Sequence, residues 1–114
     1  MNIQGKIWGH TSKLFNKNNV EIHRICGKKG GFCSKHKHMH KYNMFFIEKG
    51  QLTITQWKNG LVDETPITYG QSCCIPPEDY HMFRVDEDDT VAYEIYWVEI
   101  QENDIIREKL GHIE

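Results

Sequence analysis

Residues 51–57 (QLTITQW) set Leu52 and Ile54 against Thr53 and Thr55. That period of two suits a half-buried strand and not a helix. Asn59-Gly60 follows almost at once. Both central residues of a type I′ turn need positive φ, so this pair predicts a tight antiparallel hairpin. Comparable short runs recur at 20–26 (VEIHRIC), 43–48 (NMFFIE), 61–62, 67–69, 71–75, 80–85 and 90–100 (TVAYEIYWVEI). Turn signals separate them: KKGG at 28–31, Pro66, Gly70, Pro76-Pro77 and the acidic DEDD at 86–89. Residues 3–15 hold only a short apolar stretch at Ile7-Trp8, and KNN at 17–19 reads as a polar loop. Only the tail is helical in pattern, with Asn103 or Asp104 capping 105–110 and Gly111 at the C′ position. Many short strands without βα alternation predict an all-β, antiparallel sandwich or barrel with a short C-terminal helix.

A chain of 114 residues suits one domain, 1–114. Its 39% apolar and 26% charged residues place it with soluble globular proteins. A formal charge of -2 predicts no general attraction to nucleic acid or an anionic membrane. No apolar run approaches the roughly 18 residues that span a bilayer. The start, MNIQGKIWGH, lacks the pattern of a secretory signal, so a cytoplasmic location is expected. Cys26, Cys33, Cys73 and Cys74 show no CxxC spacing and are expected to be reduced.

The chemistry concentrates in residues 32–50 (FCSKHKHMHKYNMFFIEKG). Read as a strand, Phe32, Ser34, His36, His38 and His40 share one face, and Cys33, Lys35, Lys37, Met39 and Lys41 the other. Three imidazoles on one face of a β-scaffold predict a metal site. Residues two apart on a strand lie roughly 6.6 Å apart, a gap two imidazoles can close onto one ion. Residues four apart lie about 13 Å apart, so His36 and His40 share an ion only if the strand bends or bulges.

The spacing extends further. Gly30 is followed after five residues by His36-Lys37-His38, after four more by Asn43 and after six more by Gly50. Gly70 is followed after five residues by Pro76, and His81 lies five positions beyond. This resembles the two motifs of the cupin superfamily, G-x5-H-x-H-x(3,4)-E-x6-G and G-x5-P-x-G-x2-H-x3-N, over residues 30–85. The resemblance implies a jelly-roll (double-stranded β-helix) barrel around one divalent metal ion such as Zn, Mn, Fe or Ni. It assigns His36 and His38 to the first histidine pair and His81 to the second motif. Three positions depart from it: Asn43 stands where the motif has glutamate, Glu78 where it has glycine, and Val85 where it has asparagine. The segment at 70–85 is also similar to the cupin domain of mannose 6-phosphate isomerases, whose H-x-H-x2-E register makes His38 and His40 the pair instead. His38 is common to both registers.

Asn43 removes one negative charge from the implied ligand set, and an amide oxygen is a weaker donor than a carboxylate. The resemblance implies a metal-dependent sugar-phosphate isomerase acting on a small molecule. The alternatives are a three-histidine iron dioxygenase and a non-catalytic sugar- or small-ligand-binding cupin. Tyr93, Ile95 and Trp97 share one face of the last strand and suit packing in a core or dimer. Glu94 or Glu99, if turned inward, is a candidate general base. His10, His23 and His112 read as surface residues. A homodimer is common in that superfamily, and the segment around Trp8 is placed to pair with a second subunit's sheet.

Overall fold

The computed structural model describes residues 2–98 together with 111 and 113, and every element among them is a strand. The strands are β1 (Asn2–Lys6), β2 (Gly9–Lys17), β3 (Val20–Gly27), β4 (Tyr42–Lys49), β5 (Leu52–Lys58), β6 (Leu61–Ile67), β7 (Ser72–Ile75), β8 (Tyr80–Val85) and β9 (Thr90–Trp97). The helix expected at 105–110 lies outside the described residues. One sheet runs β1-β2-β3-β9-β4-β7 and the other β6-β5-β8. All pairings are antiparallel, as the hairpin pattern predicts, and the two sheets close on one core as a jelly roll.

Alternation decides which face looks inward. From the larger sheet Ile25, Phe45, Ile47, Ile75 and Ala92 point in; from the smaller, Leu52, Ile54, Ile67, Phe83 and Val85. Each is 3% exposed or less, and burying such a side chain contributes about 1.5–3 kcal/mol before chain entropy is set against it. Asn59 (φ 52°) and Gly60 (φ 75°) form the expected turn between β5 and β6. Asn18 (φ 52°) and Asn19 (φ 68°) do the same between β2 and β3, so KNN is a tight hairpin turn. Gly50 has φ 82°, and a Cβ there would collide with Thr90.

Three sequence expectations need correction. Pro66 does not break its strand: β6 continues to Ile67, with Pro66 opposite Thr53. Among the described strands β6 pairs only with β5, which makes it an edge, the place in a sheet where proline is tolerated. The N-terminal segment forms the hairpin β1–β2, which pairs onto β3 of its own sheet, while Trp8 packs edge-on against Phe83 at 5.0 Å. Finally, 32–41 is not a regular strand. It runs beside β8 through two isolated bridges, Phe32 to Arg84 and His36 to His81, whose registers differ by one residue. The extra residue is a bulge between them. It leaves Phe32 51% exposed and packs Cys33 against the core, reversing the face expected for both.

Glu78 has φ 74° and is exposed. It stands where the resembling motif has glycine. A left-handed conformation costs an ordinary L-residue roughly 1–2 kcal/mol, partly offset by the extra freedom glycine has when unfolded. Glu78→Gly is therefore expected to raise stability by about 0.5–1 kcal/mol in urea unfolding. A less stable variant would show that this turn is not strained.

Candidate metal centre

His36 and His81 are brought together by the backbone. The His36 N–H donates to the His81 carbonyl at 3.0 Å and the His81 N–H to the His36 carbonyl at 2.8 Å. Directly opposed, their rings lie 4.5 Å apart. His38 is two residues further along, and its carbonyl accepts the Glu78 N–H at 2.7 Å, which ties it to the turn before β8. Its ring lies 5.1 Å from His36 and 5.5 Å from His81. One ring nitrogen from each imidazole falls within 4.8 Å of the others. Modest ring rotations bring that spacing to what metal–nitrogen bonds of about 2.0–2.1 Å require.

His40 is exposed and does not join them, because the chain bends at Met39 and His40. Of the two sequence registers, the structure thus assembles the pair His36 and His38, with His81. The lysines between them turn outward: Lys35 lies 4.0 Å above the Trp57 ring and Lys37 4.7 Å from that of Tyr80. The two faces read from the sequence hold at these positions.

Hydrogen bonds fix the tautomers of two of these rings. His36 Nδ1 lies 2.8 Å from the Ser34 carbonyl and His81 Nδ1 3.1 Å from the Asp79 carbonyl. A carbonyl only accepts, so Nδ1 carries the proton in both rings and Nε2 is the nitrogen left to act as an acceptor. Burial, helped by His36, His81 and Lys41, pulls His38 down to about 4. Burial also lowers His81. Both rings are uncharged at neutral pH.

Asn43, fully buried on β4, projects into the same space. Its Nδ2 donates to His81 Nε2 at 3.1 Å and to Glu94 Oε2 at 3.3 Å. Among the described residues two buried side-chain polar atoms have no partner, His38 Nε2 and Asn43 Oδ1. Each orphan costs about 1–3 kcal/mol if nothing satisfies it. Imidazoles with convergent nitrogens, one of them orphaned, fit a divalent cation.

Beside the cluster an open cavity of about 570 Å³ is walled by Trp8, Phe83, His23, His36, Glu94 and Tyr96, among others. This is within the range of small-molecule sites. His36 belongs to both cluster and cavity. His23, expected at the surface, is on the cavity wall because β3 pairs with β9 and sets it opposite Glu94. Glu21 and Thr11 hold its ring, at 3.2 Å and 3.3 Å. Its period-two relation to Ile25 was the available signal; what lay opposite was not local information. His10 is exposed, as expected. Glu94 faces inward and Glu99 lies outside the described residues. Burial pushes the Glu94 carboxyl up, and burial with the neighbouring Glu94 pushes the Tyr96 phenol up. Tyr93, Ile95 and Trp97 occupy the outer face of β9, away from the cavity.

No protein-family model matches the sequence, and no curated protein matches it. Solved structures match in fold. KdgF from Halomonas sp. aligns with a TM-score of 0.75 at 11% identity, over 88% of this chain and 90% of that one. An oxalate decarboxylase of Bacillus subtilis gives 0.77 at 13% identity over 85% of this chain, which spans only 27% of that longer protein. The cupin domain of Schizosaccharomyces pombe Cnp3 gives 0.71 at 15% identity, over 87% and 69%. Two antiparallel sheets closed on one core, with these neighbours beside them, give the chain the cupin fold.

Proposed function

We propose that the protein is a metal-dependent enzyme for a small oxygen-rich substrate and, more finely, a sugar-phosphate isomerase similar to mannose 6-phosphate isomerase. The observation that carries this reading is the sharing of His36 between the three-imidazole cluster and the cavity. His36, His38 and His81 would hold one divalent ion. Imidazole donors suit Zn, Fe or Ni, and the neighbouring oxalate decarboxylase has Mn(II) centres. Such an ion supplies Lewis-acid polarisation of a substrate oxygen. The chain supplies the rest. Lys6 on the cavity lining is a cation for a phosphate, Trp8 and Phe83 exclude water, and His23, steadied by Glu21, can take and return a proton. Tyr96 keeps its proton and can donate a hydrogen bond.

One observation favours a second reading. Asn43 at the motif's glutamate position leaves imidazoles alone in the cluster, as in the three-histidine iron dioxygenases. The two readings separate in one experiment on protein loaded with Mn²⁺ or Fe²⁺. Interconversion of hexose 6-phosphates that chelator abolishes, with no O₂ uptake, is the expected result. O₂ consumption with a thiol or diketone, dependent on Fe²⁺, would replace the isomerase by the dioxygenase. Neither activity, with sugar binding unchanged in His38→Ala, would leave a non-catalytic binding module.

A further inference from the structure

We infer that Glu94 supplies the anionic metal ligand that position 43 has lost, so that the fourth ligand comes from β9 instead of β4. The inference rests on the metal-centre reading above.

The argument starts at the Asn43 amide. Its Nδ2 contacts His81 Nε2 and Glu94 Oε2 together, so the carboxylate and the imidazole lone pair are one amide nitrogen apart. His81 Nε2 must be an acceptor, because Nδ1 is committed to the Asp79 carbonyl. The amide cannot simply turn over, since Oδ1 would then meet two acceptors at once. A cation on His81 Nε2 therefore has to displace the Asn43 donor, and the same displacement strips Glu94 of its hydrogen bond. One event frees both the nitrogen and the carboxylate.

Charge points the same way. Three imidazoles bring no negative charge, so a divalent ion keeps its full charge in a partly buried site, which is costly without an anion. Glu94 is the one carboxylate among the described residues lining the cavity. It forms no ion pair with a lysine or arginine among those residues. A carboxylate turned inward without a lysine or arginine and a cation site without a carboxylate thus meet across the Asn43 amide, with His23 and Phe45 flanking Glu94.

The test is titration of the metal-free protein with Co²⁺, read by calorimetry and by the visible ligand-field spectrum. Glu94→Gln keeps the shape and an acceptor for Asn43 but loses the charge. It is expected to weaken Co²⁺ binding tenfold or more and to shift the spectrum. Asn43→Glu is expected to strengthen Co²⁺ binding more in the Glu94→Gln background than in the parent, because there it replaces a lost carboxylate; an equal gain in both backgrounds would overturn the ligand role. An unchanged near-ultraviolet circular dichroism spectrum checks that each variant is folded. If Glu94→Gln binds Co²⁺ within threefold of the parent with a superimposable spectrum, while His38→Ala does not bind, Glu94 is not a ligand and the metal centre stands. If the parent chain binds no Co²⁺, the metal centre falls and this inference with it.

Discussion

His38→Ala is expected to lose stoichiometric divalent metal, by more than the roughly 10–100-fold that removal of an outer-shell partner costs. The reason lies in how the three histidines differ. His36 and His81 are locked by backbone pairing and by Nδ1 bonds to carbonyls. His38 is tied only through its carbonyl, to the Glu78 N–H, and among the described residues its buried Nε2 has no partner. No described residue uses that nitrogen, so its removal takes away a ligand and relieves an orphan. The fold is expected to keep its stability, whereas Zn²⁺ or Mn²⁺ measured by elemental analysis of tag-free protein disappears. His40→Ala is the control, since an exposed imidazole beyond the bend should change nothing. Metal lost by His40→Ala as well as by His38→Ala, but retained by His36→Ala, would reverse the assignment in favour of the isomerase-like register.

Why one register won was not readable in the sequence. Spacing put His36, His38 and His40 on one face only if the strand ran straight to His40. The chain leaves the pairing after His36 and bends at Met39. Local periodicity cannot report that, because the constraint is the bridge to His81, forty-five positions away. The bulge before His36 is equally non-local. It depends on Arg84 and His81 both needing partners from a segment one residue too long to match them. His81 itself was legible, but only through the second motif.

The strands were legible where alternation met strong punctuation. β5, its Asn59-Gly60 turn and the start of β6 at Leu61 and Val62 follow from neighbouring residues, whereas the continuation of β6 through Pro66 does not. β8 was expected at 80–85 and is found there. The β1–β2 hairpin was missed for a physical reason: GHTSKLFNK carries polar or exposed residues on both faces and buries only Ser12, so no hydrophobic stripe marks it. Its pairing with β3 supplies what the side chains do not. Position 43 is the clearest joint product of both kinds of information. Asn43 could be named as the departure from the motif, whereas its contact with Glu94 needed β4 and β9 side by side.

Phe45→Ala is expected to cost about 3–5 kcal/mol, a large share of the roughly 5–15 kcal/mol that holds a domain of this size together. Phe45 is fully buried in the middle of β4, between β7 and β9. Its ring meets Phe83 edge-on at 5.8 Å and lies 6.4 Å from the ring of His81. Truncation opens a cavity that paired strands on either side keep from collapsing. The loss should reach the metal centre as well, because the wall behind His81 becomes empty. Phe46→Ala is the matched comparison. That ring is 38% exposed on the outer face of the same strand, so its removal should cost about 1 kcal/mol or less. Chemical denaturation of the two variants decides the point. Equal losses would mean that the inner and outer faces of β4 have been assigned wrongly, and His81 and Asn43 would then no longer share a wall with Phe45.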